Sequence, residues 1–166
     1  MLLQEQITQS LAGLKGTAFD VPMTVGWSAG VGPLIEVDFT VVDSLGCAFR
    51  ELRVTADEFR EGPFDRLKTW AENLCSKVTY LLEHIGPLEA DVEAQTVLVR
   101  STPPTRRPDQ TTFYEMLVQA PGVLSLRRYA RPAGHGDRTA CDIQITHEVL
   151  VKLVQDIVAA IPTAPS

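Results

Sequence analysis

Residues 34–54 read LIEVDFTVVDSLGCAFRELRV, and the way their apolar residues alternate decides the class of fold. Ile35, Val37, Phe39 and Val41 fall on one side of an extended chain while Glu36, Asp38 and Thr40 fall on the other, which is the pattern of a strand with one dry face and one wet face. A helix would scatter the same residues around its axis. Asp43-Ser-Leu-Gly46 then reverses the chain into CAFRELRV (47–54), making the two strands antiparallel neighbours. In the second of them Phe49 and Leu52 are out of phase with strict alternation, so both can face the core only if a bulge intervenes near Arg50–Glu51. VPMTVGW (21–27), joined through SAGVGP, adds an earlier strand to the same meander.

Outside this meander the period changes. Leu3, Ile7, Leu11 and Leu14 recur at helical spacing ahead of Gly16, a residue suited to a helix end, so residues 2–14 are expected to form a helix. Thr55-Ala-Asp-Glu58 has the spacing of a capping box, Gly62-Pro63 can restart a helix, and Phe64, Leu67, Trp70, Leu74, Val78, Leu81 and Ile85 then continue one stripe up to Gly86-Pro87. Trp70 and Cys75 read as core residues of this long helix. Strand patterns return in LEADVEAQTVLV (88–99), TTFYEMLVQ (111–119), VLSLRRYAR (123–131) and TACDIQIT (139–146), with Ala-Pro-Gly as the turn between the middle pair. STPPTRRPDQ (101–110) reads as an exposed loop because its prolines cannot donate to a ladder. HEVLVKLVQDIVAAI places Leu150, Leu153, Val154, Ile157, Val158 and Ile161 on one helical stripe, and PTAPS (162–166) should fray.

These elements predict one α+β domain over residues 1–166, an antiparallel sheet of about six or seven strands with helices against one face, in the order α-βββ-α-ββββ-α. That order resembles the type III secretion chaperones and their relatives, apart from an extra strand and the proline-rich loop. The resemblance implies a small homodimer without a cofactor that binds a partner polypeptide along an apolar groove. Independently, an N-terminal helix with an apolar stripe and a sheet with an uncovered edge predict self-association through that helix or an outer strand.

Composition narrows the function classes. The chain carries a net charge of −6, but residues 100–138 hold seven arginines against Asp109, Glu115 and Asp137, a local +4 that leaves −10 for the remainder. An acidic body argues against nucleic acid as a partner, while the basic region could attract an acidic surface or a phosphorylated ligand. No apolar run reaches the length of a spanning helix, and the N-terminal MLLQEQITQS has neither a basic segment nor an apolar core, so a cytoplasmic protein without a membrane partner is expected. Cys47, Cys75 and Cys141, with no CxxC spacing, read as thiols rather than a disulfide framework.

The candidate ligand-binding residues are Arg106, Arg107, Arg127, Arg128, Arg131 and His135, drawn from the arginine-rich 100–138 region that includes the turn RPAGHGDR (131–138). Pro132, Gly134 and Gly136 supply what a reversal needs, and a strand rather than a helix follows GHG, so the glycine-rich phosphate loop does not fit. His135, Cys141 and His147 are the candidate zinc ligands of the sequence; they lack the close ligand pairs of structural sites, and no metal or other cofactor is expected. No GxSxG, HExxH or kinase-type set occurs, and His84 reads as a helix-end histidine. The sequence therefore favours a non-catalytic, chaperone-like binding module for a protein or peptide, with a binder of small anionic or phosphorylated ligands and an enzyme with a Cys/His site as the alternatives.

Overall fold

The computed structural model describes residues 1–56, 64–81, 85–101, 104–134 and 136–163. The capping box at Asp57–Glu58, Gly62-Pro63, His84, His135 and the end of the expected frayed tail lie outside the described residues. The architecture is α+β: among the described residues, three helices cover one face of a ten-stranded antiparallel sheet. Helix α1 (Leu3–Leu14) starts where the Leu2 N–H donates to the Glu5 carboxylate at 3.0 Å and stops before Gly16, whose φ of 79° suits only a residue without Cβ. Its Ile7 and Leu11 are buried against the core, and it packs on β1 and α3. The stripe of Leu3, Ile7, Leu11 and Leu14 thus packs within the chain itself.

Strands β1 (Thr17–Ser28), β2 (Leu34–Val42) and β3 (Gly46–Thr55) form the meander read from the sequence. Val37 faces Leu52 and Phe39 faces Phe49, so β3 accommodates one extra residue at Arg50–Glu51, where the bulge was expected. Phe39 packs edge-on against Trp27 and Phe49 at 6.2 and 6.4 Å between ring centroids. Helix α2 (Phe64–Lys77) is shorter than the stripe suggests. Val78 and Leu81 are buried from the connection after it, and Ile85 from a strand, so burial continued past the end of the helix.

Two stretches read as single strands are two each. Residues 88–99 form a hairpin of β4 (Ile85–Asp91) and β5 (Thr96–Ser101), turned at Val92–Gln95 with Gln95 at φ 55°. The proline-rich stretch contributes β6 (Thr105–Arg106), which pairs with β7 (Gln110–Gln119), and β7 pairs along its length with β8 (Val123–Pro132). Residues 139–146 break at Asp142 into β9 (Thr139–Cys141) and β10 (Ile143–Thr146). The order is β1-β2-β3-β8-β7-β5-β4, with a fork: β3 pairs with β8 over Glu51–Thr55 but with β10 over Gly46–Phe49, while β9 lines the far end of β8. Asp142 pins this fork by accepting from Thr40 Oγ1 at 2.8 Å and pairing with Arg50. Thr146 caps α3 (His147–Ala159) by accepting from the Val149 N–H at 3.2 Å. No described helix is long and apolar enough to cross a membrane.

Candidate functional site

The face of the sheet opposite the helices is polar, and the strand register arranges its side chains in rows. In one row Glu51, Arg127, Glu115 and Arg100 stand on β3, β8, β7 and β5 as successive cross-strand neighbours, alternating in sign. Arg127 pairs with Glu51 at 2.6 Å, and Ser125 Oγ donates to the same carboxylate at 2.9 Å. Two residues further along β7 and β8, Phe113 faces Tyr129 with ring centroids 5.9 Å apart. Two further still, Arg106, Thr111 and Arg131 form a row across β6, β7 and β8.

Beside the first row, Arg53 donates to both oxygens of Asp38, at 2.7 and 3.0 Å. That hydrogen-bonded pairing outweighs the partial burial of the Asp38 carboxyl and holds it below the usual carboxylate range. A carboxyl whose pKa is lower folded than unfolded contributes stability above the unfolded value, about 4, and that contribution is lost as the pH falls through the folded pKa. Arg53→Met is therefore expected to flatten the acid limb of the stability–pH profile below about pH 4, read by urea melts at a series of pH values; an unchanged slope would refute the assignment.

A cleft of about 550 Å³ lies over the far rows, and Arg100, Arg106, Arg131 and Arg138 all line it, together with Thr111 and Phe113. Among the described residues, Glu89 is the acid on its wall. Arg138 lies 4.0 Å over the Tyr129 ring and Arg131 6.0 Å over the Phe113 ring, so a cation sits at each end of the aromatic pair. Arg100 and Arg138 also share Glu115 Oε2. Among the described residues, no acid pairs with Arg106 or Arg131.

The sequence candidates divide accordingly. Arg106 and Arg131 meet in the cleft. Arg127 is on the same face but is held by Glu51, and Arg128, one residue on, is directed to the other face, where it donates to Thr112 Oγ1 at 3.1 Å and lies 5.0 Å over the Tyr114 ring. Arg107 is exposed at the turn into β7 and does not line the cleft. Arg100 and Arg138 were counted in the basic excess but not chosen; pairing β7 with β8 through the Ala120–Gly122 turn, and then adding β5 and β9, is what brings them in.

The other readings find less. His147 has a ring nitrogen 3.0 Å from Gly46 O and borders a cavity of about 460 Å³ between α1 and α3, whose charged lining residues, Lys15 and Glu148, are of opposite sign. Among the described residues there is no group of three His, Cys, Asp or Glu that could hold a metal ion. Comparison with protein-family models, with curated proteins and with solved structures finds no match.

Proposed function

We propose that the protein is a non-catalytic binding module that takes a small anionic or phosphorylated ligand in the arginine cleft on the open face of its sheet. The observation that carries this reading is the convergence of four guanidinium groups from separate segments of the chain on one concave site, two of them without an acid partner among the described residues. Guanidinium forks match oxyanions in shape and charge, and a partly desolvated cleft strengthens that attraction relative to open surface. The strands fix the backbone positions of the donors, and the remaining ordering on binding is that of the exposed Arg106 and Arg131 side chains. Titration with inorganic phosphate, sulfate and citrate at low ionic strength, followed by amide chemical shifts, is expected to give saturable changes centred on β6, β7 and β8. The Arg106→Ala/Arg131→Ala double variant should weaken them by about a hundredfold or more. Absence of saturable shifts for all three anions at millimolar concentration would overturn the proposal.

A second reading, self-association or capture of a partner polypeptide, is favoured by edge strand β1. Its Val21 and Met23 are 79% and 44% exposed, and Ala18 to Met23 bulge away from β2. Gln6 already covers one end of this edge, its side-chain amide donating to Ser28 O at 2.7 Å and accepting from the Ser28 N–H at 3.2 Å. A homodimer through β1 predicts a mass of twice 18.2 kDa by light scattering at micromolar concentration; a mass that stays monomeric on tenfold concentration rules it out.

A further inference from the structure

The two ends of the cleft are differently provided. Behind the inner end, just outside the cleft lining, Glu115, whose side chain is 11% exposed, offers one oxygen to both Arg100, at 3.2 Å, and Arg138, which do line it. An internal carboxylate thus stands where a ligand oxygen would have to bind. At the outer end, Arg106 and Arg131 are the cross-strand neighbours of Thr111 on either side. Adjacent strands are about 4.8 Å apart, so the two arginine backbones stand about 10 Å apart with the threonine midway between them.

Resting on the anion-binding reading, we infer that the Arg106–Thr111–Arg131 row is the seat of one tetrahedral, doubly charged oxyanion of the phosphate-monoester class. A planar carboxylate presents two oxygens in one plane and is satisfied by a single guanidinium fork. Two forks reaching in from opposite sides, with a hydroxyl between them, call for three acceptor oxygens pointing in different directions. The charge matches as well: two arginines without acid partners among the described residues face a group carrying about −1.5 to −2 at neutral pH. Glu115 sets the limit on the ligand. The first and last rows are four residues apart along β7, about 13 Å, and a second anionic group reaching that far would meet the Glu115 carboxylate. The ligand therefore carries one such group. The same chemistry is offered by a small phosphate ester and by a phosphorylated side chain of a polypeptide.

The test uses the whole chain and five probes at equal ionic strength: glycerol 2-phosphate, a capped phosphoserine peptide, a capped bis-phosphorylated peptide, acetate and citrate. Either phosphate monoester is expected to bind at least tenfold more tightly than acetate, with affinity falling several-fold from pH 7.5 to pH 5 as the ester takes up its second proton near pH 6. Thr111→Val should weaken it several-fold, and Arg106→Ala and Arg131→Ala about tenfold or more each. Glu115→Gln, which keeps the side-chain volume and can be checked by its melting curve, is expected to open the inner end and improve binding of a bis-phosphorylated probe about tenfold over the monoester. Binding of the small ester alone points to a metabolite, and binding of the peptide alone to a phosphorylated polypeptide; both support the seat. Acetate or citrate binding as tightly as the esters, with Thr111→Val silent, overturns this inference and leaves anion binding standing. Failure of every anion removes both.

Discussion

Trp70→Ala is expected to lower the free energy of unfolding by about 3–5 kcal/mol. The ring has no exposed surface, so its removal leaves a cavity between α2 and α3 that the two helices can only partly close. Its Nε1–H also donates to Ile157 O at 3.1 Å, in the last turn of α3, where carbonyls run out of helical partners. Asn73 Nδ2 serves Ala160 O at 3.0 Å and Arg66 serves Pro162 O at 3.2 Å, so one face of α2 supplies donors to the whole C-terminal end of α3. Trp70→Phe separates the two contributions: it keeps most of the apolar volume and loses the donor, and about 1–3 kcal/mol should follow. Urea denaturation measures both variants. A loss below about 1 kcal/mol for the alanine variant would show that the ring does not hold the helices together.

Cys47 should react with iodoacetamide at pH 8 about a thousandfold more slowly than an ordinary cysteine. Burial pushes its thiol from 9.0 up to about 12, and only the thiolate attacks. The residue lies on β3 between β2 and β10, so reagent must also wait for the sheet to open. Cys75 is raised as well, by burial first and then by Glu72. Cys141 is half-buried at the far end of β8 and serves as the internal reference. Mass spectrometry of timed samples should find the Cys141 adduct well before the Cys47 adduct. Rapid labelling of Cys47 in the folded protein would mean that β10 separates readily from β3. No disulfide links the three cysteines, so an unreduced sample should show three alkylatable thiols once unfolded.

How far the fold was legible depended on whether local pattern and tertiary burial agreed. In 34–40 and 49–54 they did, and the bulge at Arg50–Glu51 follows from the phase of Phe49 and Leu52, but a second register shift between Phe39 and Val41 buries Val42 in place of Val41. They disagreed after Lys77, because Val78, Leu81 and Ile85 continue the helical period although the chain buries them from a connection and a strand. The β4–β5 hairpin was hidden because Val92-Glu-Ala-Gln95 contains neither glycine nor proline, and Gln95 takes up the left-handed conformation that such a residue would have signalled. The strand break at Asp142 follows from tertiary bonds to Thr40 and Arg50, far away in sequence. For the cleft, Arg106 and Arg131 stood out through local charge, and strand alternation separates Arg127 from Arg128, whereas recruiting Arg100 and Arg138 required the register of neighbouring strands.

The fork in the sheet also bears on how the chain reaches its native state. The first half of β3 has β2 on one side and β10 on the other, so Phe49 finds its second neighbour only in Ile143. Its later half likewise waits for residues 123–127. During synthesis, the N-terminal meander must therefore persist with one side of its last strand, β3, unpaired until residues 123–127 and 143–146 have emerged, and α1 likewise waits for α3. Pairings so distant in sequence close late and slowly, so the docking of the C-terminal strand and helix is expected to limit the rate of folding, which stopped-flow refolding of variants at Phe49 and Ile143 would test. The unpaired side of β3 is then the template that a nascent-chain chaperone, or a second unfinished copy, would meet first.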